Sequence, residues 1–185
     1  MPQPENRLSS SVRVLAIDPA LRNTGFAVIE ETAPASGRRT QRAIAYGVID
    51  NPKNLRQSGC LVAIRERLAE VIREHSPEVC AVEGVIFVQS YRTAITLGAA
   101  RGAALLAAAE QGLEIYEYAP KRVKQAVVGR GGADKQQVAF MMRALLGLSE
   151  TPPPDAADAL AIGMAHCYAH DPKRAAALAD PPVPL

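Results

Sequence analysis

Four carboxylates stand where they could act together. Asp18 closes an apolar run at residues 12–17, Glu83 closes a second at 79–82, and Asp155 and Asp158 open an apolar stretch that continues to about residue 169. The i, i+3 spacing of the last two puts both on one face of a helix. Carboxylates at the ends of adjacent parallel strands face each other across roughly 5 Å of sheet. They repel, each raising the other's pKa, unless a cation lies between them. An all-oxygen set of this kind suits Mg²⁺ or Mn²⁺, and two such ions can clamp the attacking and leaving oxygens of a phosphoryl transfer. Each residue also has a purely structural reading. Asp18 could open the Asp18-Pro19 turn by bonding backbone amides, and Asp155 could cap a helix with Asp158 near its third position. The joint pattern is what favours a metal-binding acidic centre.

A second constellation is basic. Lys121, Arg122, Lys124, Arg130 and Lys135 set five cations against one acid, Asp134, within 15 positions, around glycines that let a phosphate backbone approach. The segment GRGGADK lacks the GxxxxGK spacing of a nucleotide-binding loop. His166 and His170 have the i, i+4 spacing of a zinc pair, but His166 lies about 12 Å along a helix axis from Asp158. They are read as core or surface histidines.

The rest of the chain must position these groups. With 185 residues, 48% apolar and 22% charged, it is most simply one compact domain. A net charge of +2 does not itself argue for nucleic acid. Cys60, Cys80 and Cys167 form no CxxC pair and read as reduced core thiols. No apolar run reaches the roughly 18 residues of a bilayer span, and MPQPENRLSSS carries no hydrophobic signal region. A soluble, cytoplasmic protein is expected, with residues 1–11 as a flexible leader, 12–170 as the domain and 171–185 as an unstructured Pro/Ala-rich tail.

Residues 12–18 and the apolar run that ends at Glu30 read as antiparallel strands joined by a tight loop, with 43–50 completing a meander. Val12, Val14, Ala16 and Asp18 share one face of the first strand. Ile64, Leu68, Val71 and Ile72 mark an amphipathic helix that ends near Ser76-Pro77. EVCAVEG is continuously apolar, hence a central, parallel strand. Residues 91–111 form a long helix in which Ala94, Gly98 and Gly102 make a stripe of close approach, either to the sheet or to a second subunit. A fifth strand at 113–118 and helices at 120–128, 138–146 and 155–169 follow. The expected architecture is α/β: a mixed five-stranded sheet, a three-strand meander plus two parallel strands, flanked by helices.

IDPALRNTG, VEGVIF, LGAARGAALLAA, EYAPKRVKQAVVGRGGADKQQV and PDAADALAIGMAHC resemble, in order and spacing, the bacterial RuvC Holliday junction resolvases, whose fold is that of ribonuclease H. The resemblance covers about residues 12–170. It implies that Asp18, Glu83, Asp155 and Asp158 bind Mg²⁺, two ions per site with Mn²⁺ able to substitute, and that Lys124 and Lys135 lie near the scissile phosphate. It implies a homodimer that nicks two like-polarity strands of a four-way DNA junction, working with the RuvA and RuvB proteins. Phe87, Tyr91 and Arg92, with Lys121, Arg122 and Arg130, are candidate DNA contacts. Ala20 stands where the family usually has glycine, Gly84 replaces a usual polar residue, and Ile86 replaces a frequent aromatic. The alternatives are a ribonuclease H-like nuclease for RNA/DNA hybrids or other branched DNA, and a junction-binding protein that does not cut.

Overall fold

The structure, a computed structural model, describes residues 10–34, 38–85, 90–175 and 182–185. Phe87 and Ile86 lie outside the described residues, as do residues 1–9 of the expected leader. Three strands, β1 (Ser10–Asp18), β2 (Asn23–Ala33) and β3 (Thr40–Asp50), form the expected antiparallel meander. The helix α1 (Gln57–His75) then returns the chain to β4 (Val79–Glu83), which pairs parallel with β1 on one side. After α2 (Tyr91–Glu110), β5 (Glu114–Tyr118) pairs parallel with the other side of β4. Three helices complete the domain: α3 (Pro120–Val128), α4 (Lys135–Leu146) and α5 (Pro154–Ala169).

The sheet has six strands rather than five, in the order β3-β2-β1-β4-β5-β6. The extra strand β6 (Val183–Pro184) comes from the stretch expected to be an unstructured tail. It runs antiparallel to Tyr116 and Glu117 of β5, and Leu185 N–H adds a bond to the Ile115 carbonyl at 2.9 Å. An exposed sheet edge presents unpaired amides and carbonyls, so even two residues with extended backbone can dock there. Proline suits that outermost position because an edge strand leaves one side's N–H unused. A short helix α6 (Pro172–Ala175) also falls in that stretch, and Ser10 and Ser11, assigned to the leader, begin β1.

Strand alternation sorts the core into two layers. Leu15, Ile17, Val28 and Cys80 face α1 and α2, where Ile64, Leu68, Ala100, Ala104 and Ala108 receive them. Val14, Ala16, Ala27, Ile29 and Ala81 face α3, α4 and α5 through Val127, Met142, Leu160 and Ile162. Asp18 therefore continues the row that faces α5, as its parity requires. Val12, at the other end of that row, is 38% exposed and not part of the core.

The helix α5 is apolar nearly all round because it is buried nearly all round, from Ala156 to Tyr168. Gly163 sets how closely it lies on the sheet: a Cβ there would come within 2.8 Å of Ile29 Cδ1 and 3.1 Å of the Ala16 Cβ. The Gly98 and Gly102 stripe behaves differently. Both are exposed, a Cβ on either would meet nothing within 4 Å, and α2 presents Ala100, Ala104, Ala107 and Ala108 to the sheet instead. Among the described residues, then, the stripe serves no approach within the subunit. Gly163→Val should overpack this contact and cost about 1–3 kcal/mol of unfolding free energy, read as a lower urea midpoint with an unchanged m-value.

Candidate active site

The acids converge where the strands end. Ligand-capable atoms of Asp18, Asp155 and Asp158 lie within 4.8 Å of one another. Glu83 stands beside them: Ile17 pairs with Val82, so Asp18 and Glu83 are the next residues along two parallel neighbours, and both line a cavity of about 450 Å³. The remaining walls include Pro19, Gly84, Leu97, Pro120 and Lys121.

Neither structural reading of the aspartates holds. Pro153 occupies the cap position of α5, which has no side-chain cap, and Asp155 sits inside the first turn. The turn after Asp18 is closed by Thr24, whose hydroxyl donates to the Ala20 carbonyl at 2.5 Å and accepts from the Ala20 N–H at 3.3 Å. Ala20 needs no left-handed backbone there, since Ser76 is the sole non-glycine with positive φ among the described residues. The departure from glycine is thus accommodated. Gly84 has a different reason. A side chain there would press on Glu117, which pairs with Arg101 of α2.

Sequence reasoning missed Gly25. It pairs with Asp18 across β1 and β2, and a Cβ on it would collide with the Asp155 carbonyl. The absence of a side chain on β2 is what lets the start of α5 reach the end of β1. A Thr-Gly pair after a tight turn looks like turn chemistry, which hides this role.

Lys135, the first residue of α4, reaches into the acids, with Nζ 3.1 Å from Asp158 Oδ2 and 3.6 Å from Asp155 Oδ1. Its helix is fixed by a capping box in which Asp134 accepts from Gln137 N–H at 2.8 Å and Gln137 accepts from Asp134 N–H at 3.2 Å. Burial alone would lower the Lys135 pKa, but the bond to Asp158 and the charges of Asp158, Asp155 and Asp18 outweigh it and raise it. Burial first, then Asp158, pushes the Asp18 carboxyl up to about 7 against the opposing pull of Lys135. Glu83 is likewise pushed up to about 7 by burial and then by Asp18 and Asp158, while Lys124 and Lys135 pull it down. With all groups ionised, three clustered carboxylates facing one ammonium leave two uncompensated negative charges. The donors are all hard oxygens, so the residues fit a divalent cation such as Mg²⁺.

The other basic candidates divide. Lys121 lines the acidic cavity and Lys124 acts electrostatically on Glu83. Arg122 lies near Tyr118, while Arg130 lines a separate groove with Gln136 and Phe140. Arg92 borders a shallow groove with Ala20, Leu21 and Thr96 that shares Leu97 with the acidic cavity, and Tyr91 is 82% exposed beside it. A wider cavity of about 670 Å³, lined by Arg38, Arg39, Asp171 and Arg174, lies at the far end of β2, and Arg39 there is paired with Glu31 at 2.6 Å. His166 is buried on Tyr118 and stacks on His170, and it takes no part in the acid cluster.

Strand order, helix placement and a carboxylate cluster where β1 ends and α5 begins, with Glu83 ending β4 beside it, define a ribonuclease H-like domain. Among solved structures it resembles the Thermus thermophilus RuvC structure, at TM-score 0.78 and 34% identity over 94% of this chain and 100% of that one. T. thermophilus RuvC in complex with Holliday junction substrate matches at TM-score 0.79 and 34% identity, over 94% and 99% of the two chains. Residues 14–166 match the family model for crossover junction endodeoxyribonuclease RuvC. A curated relative of that description from Akkermansia muciniphila is 56% identical over 164 residues, 89% of this chain and 95% of its own. The chain belongs to the RuvC family and is a crossover junction endodeoxyribonuclease.

The raised carboxyls carry a stability signature. Between their ordinary values of 3.8 and 4.5 and about 7, Asp18 and Glu83 stay protonated in the folded state but ionise in the unfolded chain. The unfolded chain then binds fewer protons, so their contribution to stability falls as pH rises across that window. In metal-free buffer the thermal midpoint of Asp18→Asn should rise relative to the parent from pH 4 to pH 7. A constant difference across the titration would contradict the raised value.

Proposed function

We propose that the chain resolves four-way DNA junctions by Mg²⁺-dependent hydrolysis, placing paired nicks in two strands of like polarity. The observation that carries this reading is the meeting of Asp18, Asp155 and Asp158 within 4.8 Å, with Glu83 on the neighbouring strand and Lys135 bonded among them. Asp18, Glu83, Asp155 and Asp158 would hold the metal, two ions per site, with Mn²⁺ able to substitute. Bound there, Mg²⁺ supplies Lewis-acid stabilisation of the scissile phosphate and acidifies an attacking water.

The chain's own residues do the rest. The carboxylates would hold the cation through their oxygens, and their own negative charge repels any phosphate that no cation neutralises. Lys135 supplies positive charge at the first turn of α4, and Lys124 does so on the Glu83 side. Lys121, Arg122 and Arg130 extend that field along α3 and the following loop, as backbone contacts that position DNA. Arg92 and Tyr91 flank the groove that leads away from the acids. Phe87 stays a candidate DNA contact through the family resemblance, as do RuvA and RuvB as partners and the cytoplasm as location. No described helix is long and apolar enough to cross a membrane.

Two active sites related by a two-fold axis are needed for symmetric cuts, and the exposed Gly98 and Gly102 face of α2 supports a homodimer formed there. Gly98→Leu should stay folded, sediment as a monomer and lose paired nicking; a folded dimer would place the subunit contact elsewhere.

The deciding experiment incubates the protein with a synthetic four-way junction, a duplex and an RNA/DNA hybrid, with and without Mg²⁺. Paired nicks in the junction alone, dependent on Mg²⁺, are expected. Preferential cutting of the hybrid would make the chain a hybrid nuclease instead. Asp18→Asn, Glu83→Gln and Asp158→Asn should each abolish nicking while junction binding holds or tightens, since each removes a metal ligand and one negative charge near phosphate.

A further inference from the structure

The acids and lysines leave a buried polar pair behind them unexplained. Tyr118, the last residue of β5, is fully buried, and its hydroxyl lies 2.8 Å from Nδ1 of His166 on α5. The surrounding layer is otherwise built mainly from aliphatic side chains such as Val123, Val127, Leu160 and Ile162. Phenylalanine and leucine would fill the same volume without having to desolvate a phenol and an imidazole, a burial that is tolerable only because each partners the other. Burial, then the neighbouring His170, pushes the His166 pKa down to about 3, so the ring is neutral. His170 stacks on it at 4.2 Å, and Tyr116 packs edge-on at 5.4 Å, so the imidazole cannot turn away.

The position of the pair gives it a consequence. The Tyr118 carbonyl accepts from Gly84 N–H at 2.9 Å, and Tyr118 is the register partner of Glu83. Pro120, two residues on, begins α3, which carries Lys121 and Lys124. On the opposite face of β5, Glu117 pairs with Arg101 of α2 and fills the space beside Gly84. The end of β5 is thereby pinned to both helical layers and in turn holds the peptide after Glu83. Asp18 needs no such tie, because Gly25 and Gly163 seat α5 directly on β1 and β2. Glu83 lies one strand farther out.

We propose that the Tyr118–His166 hydrogen bond is a positioning pair, locking the ends of β4 and β5 to α5 so that Glu83 faces Asp155 and Asp158 at the spacing a shared divalent cation needs. This rests on the metal reading given above. Outer groups that orient metal ligands commonly set affinity even though they touch no ion.

The test compares Tyr118→Phe, which keeps the ring, His166→Leu, which removes the partner, and His166→Asn, whose amide reaches the Nδ1 position. Ile72→Val, in the other core layer, serves as a purely structural control. Calorimetric Mg²⁺ binding to protein without DNA is measured beside junction affinity in EDTA and the Mg²⁺ dependence of nicking. Tyr118→Phe and His166→Leu should bind Mg²⁺ about tenfold more weakly, with nicking needing correspondingly more Mg²⁺ and EDTA junction affinity unchanged. His166→Asn should recover part of the loss, and Ile72→Val should lower the melting temperature alone. Parental Mg²⁺ affinity in Tyr118→Phe, or in His166→Leu should Tyr118→Phe not fold, removes the pair and leaves the metal reading intact. A parent chain that binds no Mg²⁺ overturns both.

Discussion

The site depends first on how closely α5 lies on the β1–β2 hairpin. Asp18 and the Asp155–Asp158 pair are more than a hundred positions apart in the chain, and only a backbone-to-backbone approach brings them within reach of one ion. Glycine provides that approach twice: Gly25 admits the carbonyl of Asp155 at the strand end, and Gly163 lets the helix settle against Ala16 and Ile29 farther down. Between those contacts α5 buries Ala, Leu and Ile almost continuously. The hydrophobic layer therefore provides the force that holds mutually repelling carboxylates together. Acid placement is a by-product of packing, and packing is stiff enough to maintain it.

Electrostatics then sets how the clustered acids tolerate one another. Burial and mutual repulsion keep Asp18 and Glu83 substantially protonated at neutral pH, while Lys135 satisfies Asp155 and Asp158. The positive end of the α5 dipole lies at the same place and favours carboxylates in its first turn. The lysine comes from a helix start that is itself well capped, so its charge is delivered from a fixed origin on a long, adjustable side chain. Protonation and the lysine lower the repulsion among the acids, and both are features a divalent cation can displace or reorganise.

Most of the sheet was legible because its strands obey a simple period. The alternation in residues 12–18 placed Asp18 on the α5 face, and the unbroken apolar run 79–82 placed β4 between two parallel neighbours. The acids were legible as a set because they terminate or open apolar segments. What stayed hidden depends on tertiary contacts that have no local signature. Gly25 resembles a turn residue, β6 is two residues with no periodicity, and the cap reading of Asp155 failed because Pro153 and Pro154 already shape the start of the helix. The Gly98 stripe has the spacing of a contact either to the sheet or to a second subunit, but tertiary packing turns that face of α2 away from its own sheet.

A polyanion-binding enzyme with an acidic centre faces an evident conflict, which this fold resolves by drawing its acids and its cations from different elements. Asp18 and Glu83 sit at strand ends inside a cavity and Asp155 and Asp158 near the start of α5, whereas Lys121, Arg122, Lys124, Arg130 and Lys135 come from α3, the loop after it and the start of α4, with Lys121 and Lys135 reaching back to the acids. A DNA backbone would therefore meet cations before it meets acids. Only the phosphate at the cavity mouth would experience the negative field, and that phosphate is the one a metal ion would neutralise. The small net charge of +2 is thus compatible with DNA recognition, because the relevant quantity is the local asymmetry between one rim of the sheet and its floor. The same asymmetry makes β5 important out of proportion to its five residues: it leads directly into the basic helix and its last residue faces Glu83, so any slack there would misalign the two opposed fields together.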